Sequence, residues 1–391
     1  MRIGIAKPDF GIEGGFELNL GRIQHELEKR GHTIDWLTVD VAGLPRSPLG
    51  VAVPDDVWER GSQFFLYAQL VDAFRVLDAS DVDVVLTTQP PSYAVEHPRK
   101  LALFYHHHRV FYDLSEVYVR AGFARPIAHL MQQEAVRAID RVHLPTVEHF
   151  LAGSHNVARR LQRYSGIVES VSVFEASLPQ QLPGTGPSAT SDHVLCVSRH
   201  EFPKRTELFV HAMKFLPDVH GLSVGRGGRL RHVQRLDAEL TRGDPAMVDP
   251  EPLWLSHHAY DARPIGAPPS NVAYRWGLSA GELADAFRRA LCVVAPAYDE
   301  DYGHTAMEGM EFGKPVVTCT DSGGLADMVD NGVTGFVVEP TGEAIATAVA
   351  RLRDDPDLAA ELGQNGHEKV QAYTWDRAMR QFQYGLEQVA G

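Results

Sequence analysis

Five apolar residues, Leu291–Ala295, lead directly into the loop Pro296–Gly303 and then into the stretch TAMEGMEF, Thr305–Phe312. A short, continuously apolar run closed by a proline is the pattern of a strand buried on both faces, while Ala306, Met307, Met310 and Phe312 recur at helical spacing. A strand, loop and helix of this kind belong to an open parallel α/β sheet, in which ligands sit at the carboxyl ends of the strands. Glu300 and Glu308 are separated by seven residues, with Gly303 in the gap. The turn presents the backbone amides of Gly303, His304 and Thr305. The first N–H groups of a helix have no intrahelical partner and its dipole adds roughly half a positive charge, so a phosphate fits there. Glu308 lies about one turn inside the helix and Glu300 ahead of it, so the carboxylates flank the anion position and suit hydroxyl groups. Hydroxyls on both sides of a phosphate describe a nucleotide sugar, with ribose at one end and a hexose at the other. The plainer alternative is a capped surface helix with incidental acids, since carboxylates are usually solvated.

The spacing of Glu300 and Glu308, together with the following DSGGLADMVDNGVTGFVVEP (Asp321–Pro340), resembles the glutamate–seven–glutamate motif of retaining GT-B glycosyltransferases of family four, the glycosyl transferases group 1. The resemblance implies two Rossmann-like, doubly wound domains facing a cleft. It implies that Glu300 faces the donor sugar, that Glu308 binds the ribose hydroxyls, and that Tyr302, Gly303, His304 and Thr305 complete the donor loop. Asp327 stands where the family more often has glutamate.

Two cations on the strand–helix loop of HVLCVSRHEFPKRTELFVHAM, Arg199 and Lys204, suit a diphosphate, the arginine through its fork and the lysine as a point charge. Their spacing also resembles the family's phosphate-binding pair. Leu222–Gly228 resembles the next strand and glycine turn, with Arg226 where an acidic residue is common, and Gly277 falls where the family places a glycine near the nucleobase. In the first half, Gly11, Gly14 and Gly15 form a turn between the strand RIGIA and an amphipathic helix carrying Leu18, Ile23 and Leu27. They lack the GxGxxG dinucleotide fingerprint. Tight packing is one reading of this turn; the resemblance puts Gly14 and Gly15 near the donor phosphates. A strand ending at Tyr105 delivers His106, His107 and His108 to its carboxyl end. Metal chelation by His106 and His108 lacks a supporting carboxylate or cysteine, and polar loop histidines are the bland reading. The resemblance implies a histidine contact with the donor sugar, from His106 first and His107 second.

At 391 residues the chain suits two domains, and its hydrophobic and charged fractions, 44% and 23%, are those of a soluble globular protein. A net charge of −14 opposes general nucleic-acid binding. Three unpaired cysteines in apolar runs read as buried free thiols in a reducing compartment. With no apolar stretch of membrane-spanning length, a cytoplasmic protein is expected, or one peripheral on the inner membrane face. The basic helix bearing Arg159, Arg160 and Arg163 reads as a solvated face or as a surface for an anionic membrane or acidic acceptor. Residues 121–141 read as one helix, 242–270 as a loop insertion, and everything past Pro340 as continuously helix-prone. The expected layout is an acceptor-binding domain over 1–180, a Pro/Gly linker over 181–192, a nucleotide-sugar-binding domain over 193–372 and a C-terminal helix over 373–391 that returns to the first domain. The expected reaction is retaining transfer of a hexose from a UDP- or GDP-sugar to an acceptor hydroxyl of a glycan, lipid-linked or small molecule, without metal or cofactor. Catalysis falls to His106, Glu300, Arg199 and Lys204. A nucleotide-sugar epimerase or hydrolase, and a non-catalytic sugar-nucleotide sensor, stay open as other classes; loss of donor without acceptor would mark the hydrolase, and binding without turnover the sensor.

Overall fold

The computed structural model describes residues 1–11, 14–188, 191–257 and 270–390. They form two compact units, one of residues 1–179 with 374–391 and the other of residues 180–373.

The first unit alternates strands and helices: β1 (Arg2–Asp9), α1 (Gly15–Lys29), β2 (Thr33–Asp40), α2 (Asp55–Arg60), α3 (Ser62–Arg75), β3 (Val84–Thr87), β4 (Lys100–Phe104), α4 (Ser115–Arg120), α5 (Pro126–His143), β5 (His149–Ala152), α6 (His155–Ser165) and β6 (Val171–Val173). All strand pairs are parallel, in the order β2-β1-β3-β4-β5-β6. Parallel neighbours need crossover helices, which bury the sheet on both faces and account for fully buried runs such as VVLT in β3. The helix read over 121–141 is α5 from Pro126 onward; residues 121–125 are a turn ahead of it, where Gly122 takes φ +81° and Arg125 an extended conformation before Pro126. Leu18 lies exposed rather than in the core; Leu20, Ile23 and Leu27 carry the buried face of α1.

The second unit runs through β7 (His193–Val197), α7 (Thr206–Lys214), β8 (Gly221–Val224), α8 (Leu230–Leu240), α9 (Pro250–Trp254), β9 (Val272–Arg275), α10 (Ala280–Arg288), β10 (Ala290–Ala295), α11 (His304–Glu311), β11 (Val316–Cys319), α12 (Gly324–Met328), β12 (Gly335–Val338), α13 (Gly342–Asp354) and α14 (Pro356–Val370). Its strands are again all parallel, ordered β12-β11-β10-β7-β8-β9. The chain winds outward from β7 to β9, returns to β10 on the other side of β7, and winds outward again. The order therefore reverses between β7 and β10, the position at which a doubly wound sheet opens a crevice beyond its strand ends. The first sheet reverses in the same way between β1 and β3.

Residues 180–188 and 191–192 lie with the second unit. Arg288 donates to the carbonyls of Pro183 and Gly184 at 3.1 and 3.2 Å, and Lys314 donates to Ser188 O at 2.7 Å. The stretch 242–257 is not a bare loop, for it contains a 3-10 turn at Pro245–Met247 and α9; residues 258–269 lie outside the described residues. The helix-prone tail past Pro340 is three helices, interrupted at Asp355, whose carboxylate caps α14 by accepting from Leu358 N at 3.0 Å, and again over 371–374. The last helix, α15 (Trp375–Ala390), buries Ala378, Met379, Phe382, Leu386 and Val389 among Ile3, Ile5, Leu101, Leu103 and Leu151 of the first sheet. All three cysteines are buried free thiols, each with its pKa pushed up to about 12 by burial.

Candidate functional site

In the second unit, the loops after β7, β10 and β11, three neighbouring strands, leave the same edge of the sheet and bond to one another. Tyr298 N donates to Pro203 O at 3.0 Å, Asp299 N to Asp321 O at 2.8 Å, Glu300 N to Ser322 O at 3.0 Å, and Gly324 N back to Glu300 O at 2.7 Å. The GG step of DSGG follows from this closeness. A Cβ on Gly324 would stand 2.5 Å from the carbonyl oxygen of Asp301 and 2.8 Å from that of Tyr302, so a side chain would push the Glu300 loop away. Gly225 and Gly227 do the same for the Arg199 loop. Their φ angles are +150° and +158°, and a Cβ on either would fall about 2 Å from the carbonyl oxygens of Ser198 and His200.

This packing brings Lys204 onto Glu300, with Nζ donating to Oε2, both side chains about one-fifth exposed. The lysine and the glutamate read separately from the sequence are thus one ion pair. Arg199 is exposed and has no ion-pair partner among the described residues. Behind the pair lies Arg205, whose importance the sequence did not reveal. It is 1% exposed, with φ +53°. Its guanidinium donates to Pro296 O at 2.6 Å and to both Asp321 carboxylate oxygens at 2.6 and 2.8 Å, while lying 5.2 and 5.5 Å from the ring centres of Trp254 and Tyr298. One buried cation therefore ties all three loops together. Trp254, brought in by α9, stacks between Phe202 and Tyr298. The proximity of Arg205 to Lys204 in the sequence was the only available signal, and it does not distinguish a solvated loop arginine from a buried one.

Gly303 precedes α11, His304 opens it, and Thr305 Oγ1 donates to Val197 O at 3.4 Å, seating the helix start beside the end of β7. Tyr302 is buried and meets His304 edge-on at 5.1 Å. Burial pulls the His304 pKa down to about 4, so its ring is neutral near pH 7. Glu308 is half-buried, and desolvation pushes its carboxyl up to about 7. No hydrogen bond or ion pair joins that carboxylate to any described residue. A desolvated acceptor without a protein donor is poised for a hydroxyl-bearing ligand. Gly277, at φ +67°, lies beyond β9 with its α-carbon facing the Arg226 guanidinium, since a Cβ there would come within 3.8 Å of Nη2.

In the first unit, Gly14 and Gly15 start α1 after β1, and Gly14 N donates to Glu17 Oε2 at 3.0 Å. No backbone atom crowds either position, so tight packing does not explain these glycines. His106 is half-buried beyond β4, with Nδ1 donating to His107 O at 2.7 Å. His107 is a correction. It is wholly buried, stacks on Tyr112 at 4.3 Å between ring centres, and pairs through Nε2 with Ser165 Oγ at 2.8 Å, so it belongs to the core and is not available to a sugar. His108 is half-buried, and desolvation pulls both rings down to about 3. Among the described residues no cluster of three or more His, Cys, Asp or Glu side chains could hold a metal ion.

Residues 268–369 match the family model described as Glycosyl transferases group 1. Over these residues the chain is similar to that family. Its relatives include D-inositol 3-phosphate glycosyltransferases of Streptomyces griseus, 41% identical over 99 residues (25% of this chain, 20% of the relative), and of an Arthrobacter strain, 29% identical over 204 residues (51% and 43%). The alignments thus span less than half the length of these curated relatives. In fold alone, solved structures are similar over the whole chain. Sucrose-phosphate synthase of Thermosynechococcus elongatus superposes with a TM-score of 0.70 at 20% identity over 98% of each chain, and Anabaena HepE, solved with UDP and glucose, with 0.63 at 16% identity over 99% of each. The chain therefore has the GT-B fold of two parallel α/β units. None of its described helices is long and apolar enough to cross a membrane.

Proposed function

We propose that the protein transfers a hexose from a nucleotide-diphospho-sugar to an acceptor hydroxyl with retention at the anomeric carbon. The observation that carries this reading is the meeting, at the strand-order reversal of the second sheet, of Lys204, Glu300, the amino end of α11 and the unpartnered Glu308. Glu308 accepts from the ribose hydroxyls. The diphosphate lies against the first amides of α11, drawing Lys204 away from Glu300 and engaging Arg199, and Glu300 turns to the sugar. As the bond from the anomeric carbon to the phosphate oxygen breaks, the two cations and the helix amides stabilise the charge left on the diphosphate. The acceptor oxygen then bonds to the same carbon from the same face, and its proton passes to the departing phosphate.

His106, Gly14 and Gly15 are assigned to the sugar, acceptor and phosphate contacts of the first unit. No metal or cofactor is required, because fixed cations and amides take the role of a metal. UDP-glucose, from the HepE complex, and an inositol phosphate, from the names of the curated relatives, are the first donor and acceptor to try alongside GDP-sugars and glycan or lipid-linked acceptors. The test is product formation from donor and acceptor pairs, with the anomeric configuration read by NMR. An inverted product, or consumption of donor only by water, refutes the reading.

A further inference from the structure

On the first unit, the carboxyl ends of α5 and α6 border a cavity of about 330 Å³ whose wall includes Tyr112 and Ser165, the partners of His107. Three arginines line it, Arg137 and Arg141 from α5 and Arg163 from α6, over a floor that includes Leu144, Pro145 and Ile167. Arginines at helix carboxyl ends complement the helix dipole, and that alone would place such residues here as solvated caps. Their surroundings argue for more. The Arg137 guanidinium lies 5.3 Å from the centre of the Tyr112 ring, its Nε is buried with no hydrogen-bond partner among the described residues, and its nearest carboxylate, Glu134, stands 3.6 Å away and more than half exposed. Arg163 lies 5.2 Å from the centre of the Tyr164 ring, and Arg141 has no ion-pair partner among the described residues.

The other acid in the wall, Asp140, is already engaged. It is 2% exposed and accepts from Tyr67, Tyr93 and Tyr112, the last two at 2.6 Å. Three forked cations share one concavity with two carboxylates, of which Asp140 is taken up by the tyrosines and Glu134 is more than half exposed. Arginine forks match phosphate oxygens in pairs, and the tyrosine rings and aliphatic floor suit an attached ring or apolar body. Arg160 of the basic helix does not take part, being 4% exposed and turned inward toward Asp113 at 3.6 Å.

We propose that this cavity is a second ligand site, specific for a phosphate monoester that carries a small ring or apolar group. The proposal is independent of the donor-site reading. The test is calorimetric titration of the full chain with phenyl phosphate and with inorganic phosphate, alongside co-sedimentation with phosphatidylcholine vesicles with and without phosphatidic acid. Phenyl phosphate is expected to bind more tightly than inorganic phosphate, and the affinity to fall roughly tenfold for each of Arg141→Ala and Arg163→Ala, with an unchanged thermal transition because both side chains are exposed. Arg141→Lys should recover part of the loss. Sedimentation that needs phosphatidic acid and is reversed by phenyl phosphate assigns a lipid headgroup to the site. Binding of phenyl phosphate without sedimentation assigns a soluble phosphomonoester. Absence of both, binding untouched by the arginine variants, or binding abolished by Lys204→Ala instead, overturns the proposal.

Discussion

Glu308→Gln separates the cost of a half-buried, desolvated carboxylate from its use. Burial lifts the Glu308 carboxyl from 4.5 to about 7. One pH unit corresponds to about 1.4 kcal/mol of free energy, so holding this group ionised in the folded protein costs about 3 kcal/mol. The folded state favours the protonated form, which sets the sign. Below pH 4.5 the group is neutral folded or unfolded and the cost vanishes; it grows through the interval and is complete above about 7. Glutamine never ionises but still buries an amide, so a net gain of about 1–2 kcal/mol is expected above pH 7, and none near pH 4.5. Chemical denaturation of wild type and variant at the two ends of this range measures the difference. The same variant should bind nucleoside diphosphate at least tenfold more weakly, because ribose hydroxyls lose a charged acceptor. In the wild type, that affinity should rise with pH through about 7 and binding should release protons, detectable by calorimetry in buffers of different ionisation enthalpy. A variant that is equally stabilised at both pH values, or destabilised above pH 7, would refute the burial argument, and pH-independent nucleotide affinity would refute the ribose assignment.

Arg199→Ala and Lys204→Ala should each weaken nucleoside-diphosphate binding by roughly 1.5–3 kcal/mol in a titration, and unchanged affinity in both would remove them from the site. Glu300→Gln should lower turnover far more than it lowers nucleoside-diphosphate affinity, the reverse of Glu308→Gln; equal affinity losses would contradict the division of roles. Arg205→Met should destabilise the second unit by about 3 kcal/mol in denaturation, the low end for a broken buried pair because Asp321 is 35% exposed, and should abolish nucleotide binding although Arg205 touches no proposed ligand. Turnover should survive a chelator; loss that magnesium or manganese restores would count against metal-free catalysis.

The α/β character of both halves was legible because buried parallel strands are short apolar runs and their loops carry glycine. The placement of Arg199 and Lys204 after β7, of Glu300 after β10 and of Glu308 in the helix that follows was legible for the same reason. Pairing across the sheet was not. Nothing local joins Lys204 to Glu300, and only the strand order places β7 beside β10. Arg205 and His107 failed in opposite directions: an arginine and a histidine next to plausible site residues look alike in one dimension, and burial from distant elements, α9 for one and α6 for the other, decided which is structural. Helix breaks at Gly122 and Asp355 were hidden by flanking helix formers, whose propensity is a weak guide against a single conformational exception.

The return of α15 makes the first unit discontinuous in the chain, with the whole of the second unit inserted between its last two pieces. Synthesis therefore finishes the two halves in an inverted order. The second unit has all its strands and helices once Tyr373 has emerged, whereas the earlier-made half still waits, with Leu101, Leu103 and Leu151 uncovered, for the final helix to close over them. A truncation just ahead of Trp375 would leave the later-made half intact and the earlier-made half with an apolar face open to chaperones and to other copies of itself.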